Sequence, residues 1–291
     1  MKGILLAGGR GSRLWPLTKS VNKQILPIFD KPMIYYPLVT LMLSGVTEIL
    51  LITSKEHLTQ LENLLSDGSQ WGIKIIYEIQ AEPKGVADAF NYAPESFKNE
   101  SVMLVLGDNF LYGMGLGSSL RAAFSQSGAK CFAYSVSNPQ DYGVIKLNEN
   151  QEPIELLEKP KSFVSSFAIP GVYFFDSDVY MHKESLQPSS RGELEITDLL
   201  RVYMEKNELA VDILERGTAW LDTGNASNLI AAGEFVRVIE ERQGLKIGCP
   251  EEVAYREGLI SRMELSNLCR NLPEGSYKNY LLKFLEDSGL S

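Results

Sequence analysis

The hydrophobic and polar positions of this chain follow two periods, one typical of buried strands and one typical of amphipathic helices. Continuous apolar runs predict strands at residues 4–7, 48–53, 74–79, 101–106 and 130–136. Between them, apolar residues at helical spacing, with glycine or proline near the ends, predict helices at 32–44, 56–65, 86–97 and 116–125. Because strands that alternate with helices fold as right-handed βαβ units, this part of the chain predicts a mostly parallel, twisted sheet flanked by helices.

The pattern changes after residue 140. Short strand candidates at 142–147, 153–158 and 171–175 have no long helices between them, which predicts a small antiparallel extension of the sheet. Helices are expected at 195–206 and 225–243, and the pattern from 248 onward is helical. With no internal repeat and no low-complexity linker, we expect a Rossmann-like α/β catalytic domain over 1–243 and a C-terminal helical appendage over 244–291 in the same globular unit.

Composition and charge exclude several classes of function. The 291 residues are 44% hydrophobic and 22% charged, as in an ordinary globular protein. The net charge of −9 argues against a nucleic-acid partner, although the first 35 residues carry six basic side chains against one acidic, as around a bound anion. No apolar run reaches the roughly 18 residues that a membrane span needs, so we expect no membrane partner and a cytoplasmic protein.

The cysteines and histidines are few. The three cysteines lie far apart with no CxxC pair, so neither a disulfide framework nor a thiolate zinc site is indicated. His57 and His182 are the two histidines, and their polar, helix-like surroundings predict a surface position for both. A Ser-His-Asp hydrolase or a histidine-rich metal centre is therefore disfavoured.

A glycine-rich loop follows the first predicted strand and reads GGRGSRL over residues 8–14. Glycines let backbone amides approach an anion closely, and arginine adds a planar donor fork suited to phosphate. A dinucleotide-binding GxGxxG loop of an NAD-dependent oxidoreductase is the obvious rival, but Leu14 stands where its third glycine belongs. A Walker A loop is excluded because no GK[ST] follows.

The loop and the segment after it together resemble a known family. GGRGSRLWPLT followed by KQILP resembles the nucleotidyltransferases that make nucleoside-diphosphate sugars, and KQILPIFDKPMIYYPLVTLMLSGV resembles their members that transfer thymidylate to glucose 1-phosphate. The resemblance extends through CPEEVAYREG at 249–258 and so covers essentially the whole chain. Departures are slight: Asn22 stands where many members have serine, and Ile25 where many have leucine.

The resemblance implies Mg²⁺-dependent transfer of the thymidylyl group from dTTP to α-D-glucose 1-phosphate, giving dTDP-glucose and pyrophosphate, the first step of dTDP-L-rhamnose biosynthesis. Uridylyl or cytidylyl transfer to a hexose 1-phosphate is the alternative within the same chemistry, since thymine differs from uracil by one methyl group, worth about 1–3 kcal/mol. A non-catalytic nucleotide-sugar sensor is disfavoured because the cationic and acidic groups of the family are present.

Two aspartates are candidate Mg²⁺ ligands. Asp108 ends a strand that reads VMLVLGDN from Val102, and magnesium takes few carboxylates and completes its shell with water and phosphate oxygens. Asp222 lies in WLDTG, which resembles the family's W-x-D-x-G motif. The two are 114 residues apart, so the fold must bring them together.

The resemblance also distributes roles over the remaining motifs. It implies that the catalytic cations are Arg13, Lys23, Lys159 and Arg191, with Arg10 adjacent. The implied nucleotide contacts are Leu6, Gly8, Gly9, Gly11, Ser12, Gln24, Gln80, Pro83, Gly85, Asp108 and Asn109. For the glutamines, a neutral amide suits a pyrimidine imide because it supplies both a donor and an acceptor.

Sugar recognition and regulation are implied for the middle and C-terminal segments. The implied sugar contacts are Tyr142, Gly143, Glu158, Ile169, Tyr173 and Trp220. Members of the family are homotetramers inhibited by dTDP-rhamnose at a second site near a subunit interface, and the stretches that match that site contain Tyr112, Gly113, Cys249, Glu252 and Arg256.

Overall fold

The computed structural model describes residues 1–9, 11–123 and 127–287. Arg10 and the end of the helix predicted at 116–125 lie outside these residues. The strands are β1 (Lys2–Ala7), β2 (Pro27–Ile28), β3 (Lys31–Pro32), β4 (Glu48–Thr53), β5 (Lys74–Ile79), β6 (Val102–Leu106), β7 (Asn109–Tyr112), β8 (Ala129–Ser135), β9 (Gly143–Leu147), β10 (Pro153–Glu158), β11 (Phe167–Ala168), β12 (Val172–Phe175), β13 (Leu209–Ile213) and β14 (Ala219–Asp222). The α-helices are α1 (Tyr35–Leu43), α2 (Leu58–Leu65), α3 (Leu116–Ala123), α4 (Val179–His182), α5 (Ile196–Glu205), α6 (Ala226–Gln243), α7 (Pro250–Arg256), α8 (Arg262–Asn271) and α9 (Ser276–Asp287).

One large sheet organises the molecule, with strand order β10-β9-β11-β8-β12-β6-β1-β4-β5 and with β13 paired to β8. The strands β6, β1, β4 and β5 are parallel, and β13 is parallel to β8. The strand β12 runs antiparallel between β6 and β8, and β9, β10 and β11 form the antiparallel extension. This confirms the predicted mostly parallel α/β sheet with a small antiparallel part.

The apolar runs are buried because helices cover both faces of the sheet. Successive residues of β1 point to opposite sides, so that Leu5 joins one apolar cluster with Leu38 of α1 while Ile4 joins another with Leu199 of α5. A strand covered on both faces needs apolar residues at every position, which is why its sequence reads as a continuous run. The cluster on the Leu5 side also takes in Leu281 of α9, so the C-terminal helices complete the core there.

Two predicted helices differ from the structure. In place of a helix at 86–97 there are two 3₁₀ segments, Ala87–Tyr92 and Glu95–Phe97, separated at Pro94, which has no amide hydrogen to continue a helical ladder. The helix α1 begins at Tyr35 rather than at 32, because Pro32 pairs with Pro27 in the β2–β3 hairpin. No helix in the described ranges is long and apolar enough to cross a membrane.

A two-stranded ladder that the sequence pattern did not reveal lies beside the large sheet. The strand β7 directly follows β6 and pairs antiparallel with β14, with Asn109 opposite Asp222. The backbone amide of Thr223 donates to the carbonyl of Asp108 at 3.1 Å. The ladder thus brings Asp222 next to Asp108 across the 114 residues that separate them, as the candidate metal pair required.

Candidate active site

A cleft of about 160 Å³ lies at the carboxyl ends of β1 and β6, where parallel strands of α/β sheets present ligand sites. It gathers side chains from segments far apart in sequence, many of which the sequence had already singled out. The predicted residues that line it are Arg13, Asp108, Asn109, Tyr142, Gly143, Glu158, Lys159, Ile169, Tyr173, Arg191, Trp220 and Asp222.

The first glycine loop turns Arg13 toward this cleft. Gly11 has φ 60°, and a Cβ there would lie 2.8 Å from the Thr18 methyl group, so glycine is required at the turn. The following 3₁₀ turn, Ser12–Leu14, buries Leu14 and directs the Arg13 guanidinium over Gly224. The loop therefore places a cation beside Asp222, a contact that no local sequence pattern indicates.

Asp108, which lines the cleft, forms an ion pair with Lys23. Lys23 follows the Asn22 side chain, which caps the short 3₁₀ turn by accepting from the amide of Gln24 at 2.7 Å, and its own side chain is 6% exposed. Burial works against ionisation of Asp108, but the Lys23 ammonium outweighs it and holds the pKa of Asp108 below its ordinary value.

The pKa of Asp222 is shifted in the opposite direction. Burial, and next the negative charge of Asp108, raise the pKa of Asp222 to about 6, with Lys23 and Arg13 partly opposing the shift. Two neighbouring carboxylates that disfavour each other's charge are a suitable donor pair for a divalent cation. No group of three or more His, Cys, Asp or Glu side chains suited to a metal occurs within the described ranges. The pair fits Mg²⁺, which needs few carboxylates when phosphate and water supply the other oxygens.

The Asn109 side chain connects Asp108 to Trp220 and to the backbone of Gly171. Its Oδ1 accepts from the amide of Gly171 at 2.8 Å and from the indole Nε1 of Trp220 at 2.6 Å, and its Nδ2 donates to Asp108 at 3.1 Å. With 5% of its surface exposed, Asn109 lines the cleft while its amide is used within the protein. Its position therefore explains how Asp108 and Trp220 are held, which its predicted nucleotide contact did not anticipate.

The predicted sugar residues form the far side of the cleft. Gly143 is required there because a Cβ would lie 2.9 Å from Thr197 and 3.2 Å from the Glu158 carboxylate. Burial and the charge of Glu195 raise the pKa of Glu158. Lys159 has φ 44°, a strained backbone for a residue other than glycine, and its amide donates to the carbonyl of Tyr142 at 3.0 Å.

Aromatic and aliphatic side chains complete this wall. The ring of Tyr142 packs edge-on against Trp220 with centroids 4.9 Å apart. Ile169 and Tyr173 are buried and also line the cleft. These side chains form the apolar part of the cleft lining next to its polar groups, an arrangement typical of small-molecule sites.

Arg191 lies among three carboxylates. Its guanidinium binds Glu195 through two hydrogen bonds of 3.0 and 2.6 Å, and lies 3.1 Å from Glu193 and 3.5 Å from Glu158. Sequence reasoning missed Glu193 and Glu195, and also Asp141, which lines the cleft beside Tyr142. Nothing in their local sequence distinguishes them from solvated loop and helix carboxylates. The contact of Arg191 with phosphate stays a prediction.

The predicted base-side residues lie at the ends of β1, β5 and β6. Gln24 is buried beside Leu6 and Gly107, and its Oε1 has no hydrogen-bond partner among the residues described. Gln80 is buried near Gly8, and its Nε2 donates to Asp88 at 2.7 Å, a partner that the sequence did not reveal.

Three further predicted nucleotide contacts differ in their surroundings. Gly85 has φ 102° and lies directly against the backbone of Leu194, so no side chain fits there. Pro83 and Gly9 are exposed.

The predicted regulatory residues divide into two groups. Tyr112 and Gly113 line a second cavity of about 330 Å³, together with the Lys246–Gly248 segment. Cys249, Glu252 and Arg256 are not among its lining residues in the described chain. The Cys249 thiol lies 3.2 Å from the Tyr277 hydroxyl, and Arg256 pairs with Glu252 at 2.7 Å.

The expectation of two surface histidines is wrong for His182. That side chain is 5% exposed and packs edge-on against Tyr203, with ring centroids 4.8 Å apart. His57 is half-buried at the start of α2. Neither residue lines the cleft as described.

Comparison with known proteins shows the family of this chain. The family model described as "Nucleotidyl transferase" matches residues 2–238. Glucose-1-phosphate thymidylyltransferases of Mycolicibacterium smegmatis and of Neisseria meningitidis serogroup A are each 47% identical over 98% of this chain and 99% and 100% of their own length. The Mycobacterium tuberculosis H37Rv protein of that name is 48% identical over 98% of this chain and 99% of its own.

Solved structures agree as well. A Bacillus anthracis protein assigned as a glucose-1-phosphate thymidylyltransferase, crystallised in complex with a sucrose, is 36% identical with a TM-score of 0.75 over 81% of this chain and 95% of that one. A UDP-glucose pyrophosphorylase complexed with UDP-glucose, 24% identical with a TM-score of 0.72 over 82% of this chain and 98% of that one, shares the fold. The chain therefore belongs to the nucleotidyl transferase family, and it is an enzyme of the glucose-1-phosphate thymidylyltransferase type.

Proposed function

We propose that the enzyme transfers the thymidylyl group of dTTP to α-D-glucose 1-phosphate, giving dTDP-glucose and pyrophosphate. The observation that carries this proposal is the convergence of Arg13, Lys23 and Lys159 with the carboxylates of Asp108 and Asp222 around one cleft, in a chain close in sequence to enzymes of that name. The three positive side chains offset the negative charge of two phosphate groups that must approach each other, and the two carboxylates suit a divalent cation.

The mechanism follows from the charge of the substrates. A phosphate oxygen of glucose 1-phosphate is already an anionic nucleophile; it bonds to the α-phosphorus of dTTP, and the bond from that phosphorus to the β-phosphate oxygen breaks, so that pyrophosphate leaves. No proton has to be removed, in keeping with a cleft that uses neither histidine. The obstacle is repulsion between phosphates, and positioning with electrostatic stabilisation is how phosphoryl transfer is generally catalysed.

Each cation takes a role according to its place. Arg13 and Lys23 lie on the loops that follow β1, on the nucleotide side, and offset the charge of the triphosphate. Lys159 follows β10 beside Glu158, on the sugar side, and steers the phosphate of the nucleophile. Glu158 accepts hydrogen bonds from sugar hydroxyls, and Arg191 keeps that carboxylate in place from 3.5 Å.

Mg²⁺ is proposed as the cofactor, held by Asp108 and Asp222. When bound, it supplies positive charge to phosphate oxygens and cancels the repulsion between the two carboxylates. The raised pKa of Asp222 beside Asp108 supports this assignment. Measuring Mg²⁺ binding by calorimetry in wild-type protein and in the Asp222→Asn variant tests it, since the variant should bind the ion much more weakly.

The base is proposed to be read by Gln24 and Gln80. The buried Oε1 of Gln24, which has no partner in the described part of the chain, supports this role, because an unsatisfied buried acceptor is costly unless a ligand donor reaches it. The imide N–H of thymine is a donor of the required kind. Steady-state kinetics across dTTP, UTP and CTP, each with glucose, galactose and glucosamine 1-phosphates, will define the substrates; highest kcat/KM with UTP would favour the uridylyl alternative.

Regulation and assembly are further parts of the proposal. We propose that the product opens dTDP-L-rhamnose biosynthesis, that dTDP-rhamnose inhibits the enzyme from the cavity beside Tyr112 and Gly113, and that the enzyme is a homotetramer. The strand β7 connects the two sites, because Tyr112 at one end lines that cavity while Asn109 at the other lines the catalytic cleft. This connection supports inhibition of the catalytic cleft from the second cavity. Inhibition by dTDP-rhamnose that persists at saturating dTTP, and a tetramer in light scattering, are the expected results.

A further inference from the structure

The carboxamide of Gln80 is fixed in one orientation. Its Nε2 donates to Oδ2 of Asp88 at 2.7 Å, and its Oε1 faces Gly8, where a Cβ would lie 2.9 Å from that oxygen. Gln80 is 4% exposed and Asp88 is 5% exposed, so water has little access to the bond. An ionised carboxylate accepts hydrogen bonds and donates none. The amide nitrogen of Gln80 must therefore face Asp88, and the oxygen must face the glycine loop.

A chain of hydrogen bonds extends this polarity to the protein surface. The other oxygen of Asp88, Oδ1, accepts from Nδ2 of Asn91 at 2.9 Å, and Oδ1 of Asn91 accepts from the ammonium of Lys183. Lysine can only donate and the carboxylate can only accept. The amide of Asn91 is thus also oriented, with its nitrogen toward Asp88. Donation therefore converges on Asp88 from both sides, from Lys183 through Asn91 on one side and from Gln80 on the other.

The direction matters because pyrimidines differ in hydrogen-bonding order along one edge. Thymine and uracil present an acceptor at O4 and a donor at N3, whereas cytosine presents a donor at N4 and an acceptor at N3. A glutamine that turns freely can match either order by exchanging its oxygen and nitrogen. A glutamine held in one orientation matches only one of them.

We propose that Asp88 is a specificity-determining positioning residue, which locks the Gln80 amide in the order that accepts keto pyrimidine nucleotides and rejects cytosine nucleotides. The inference rests on the proposed function in that Gln80 contacts the base. It adds a residue outside that contact, one that acts through Gln80 and leaves the thymine methyl group unread. Discrimination between dTTP and dUTP should accordingly be independent of Asp88.

The test compares dTTP, dUTP and dCTP in wild-type enzyme and in Asp88→Asn. In the variant, Asn91 still directs its nitrogen at residue 88, so the new amide accepts there with its oxygen and turns its nitrogen to Gln80. Gln80 is then drawn into the reversed orientation, with its oxygen toward residue 88. We expect the dTTP:dCTP ratio of kcat/KM to fall about tenfold, which corresponds to ~1.4 kcal/mol, while the dTTP:dUTP ratio stays constant. Dissociation constants for the same nucleotides, measured by calorimetry, should change in the same proportion.

Two further variants separate polarity from packing. Asn91→Ala removes a neighbour of Asp88 but leaves the carboxylate intact, so the dTTP:dCTP ratio should match that of the wild type. The exchange Asp88→Asn with Asn91→Asp restores a carboxylate between Lys183 and residue 88, so that the oxygen of the new asparagine turns to Gln80. This double variant should recover the wild-type ratio.

Several outcomes would overturn the inference. An unchanged dTTP:dCTP ratio in Asp88→Asn, an equal loss toward all three nucleotides, or failure of the exchange to recover the ratio would each show that Asp88 serves only packing. Asp88→Ala, which adds no donor, supplies the same readout if Asp88→Asn does not fold. Failure of the proposed function is seen separately, because the wild-type enzyme would then neither bind nor consume dTTP.

Discussion

Replacing Asn109 with leucine should both destabilise the protein and disorder the cleft, because one buried amide holds three other groups. Leucine has a similar size but neither accepts nor donates. The indole N–H of Trp220 and the backbone N–H of Gly171 would lose the acceptor they share, and Asp108 would lose a donor. A buried donor left without a partner costs about 1–3 kcal/mol, so the two N–H groups together predict a loss of about 2–6 kcal/mol.

That loss is large against the roughly 5–15 kcal/mol by which single domains are stable. The assay is equilibrium unfolding in urea, followed by tryptophan fluorescence and by circular dichroism so that two-state behaviour is checked. Asn267→Leu, at an exposed position on α8, is the matched control and should stay within about 0.5 kcal/mol of the wild type. If Asn109→Leu also stays within that range, the side-chain amide of Asn109 does not hold Trp220 and Gly171 in place.

Three further predictions concern single side chains. Lys159→Ala should lower kcat and raise KM for glucose 1-phosphate more than KM for dTTP in steady-state kinetics; equal loss on both substrates would count against its role. Burial and the neighbouring Glu195 raise the pKa of Glu158, so ionisation of this carboxyl lowers the stability of the folded protein as pH rises through its folded-state pKa. The difference in free energy of unfolding between Glu158→Gln and the wild type should therefore be more favourable to the variant at pH 7.5 than at pH 4.5. The same difference at both pH values in urea titrations would contradict this. Gly85→Ala should lower Tm far more than Gly217→Ala. Both glycines have positive φ (102° and 97°), but only at Gly85 would the new Cβ meet backbone, 2.3 Å from the Leu194 carbonyl oxygen. Equal Tm values of the two variants in calorimetry would show that this contact relaxes freely.

The parallel part of the sheet could be predicted because buried strands leave a local signal. Most positions of β1 and β4 are buried, so their continuous apolar runs indicate strands covered on both faces. The insertion of β12 between β6 and β8 could not be predicted in this way, because pairing order depends on contacts between distant segments. The helix predicted at 86–97 failed because apolar spacing was given more weight than Pro94.

The site residues also divide into those that the sequence could predict and those that it could not. Glycine loops and strand-end carboxylates pointed to Arg13 and Asp108, since these chemistries have local sequence patterns. Asp88, Glu193 and Glu195 had none, because each acts on another side chain, Gln80 in the first case and Arg191 in the others, through a loop conformation that no local pattern encodes. Residues that orient other residues are visible only once the fold brings the two together.

The reaction products show directly whether the enzyme transfers thymidylate to glucose 1-phosphate. Purified enzyme is supplied with dTTP, α-D-glucose 1-phosphate and Mg²⁺, and the mixture is followed by ³¹P NMR and mass spectrometry. We expect dTDP-glucose and pyrophosphate in equal amounts, and the reverse conversion when those two are supplied instead. Release of inorganic phosphate without dTDP-glucose, or no consumption of dTTP while another nucleoside triphosphate is consumed, would contradict it.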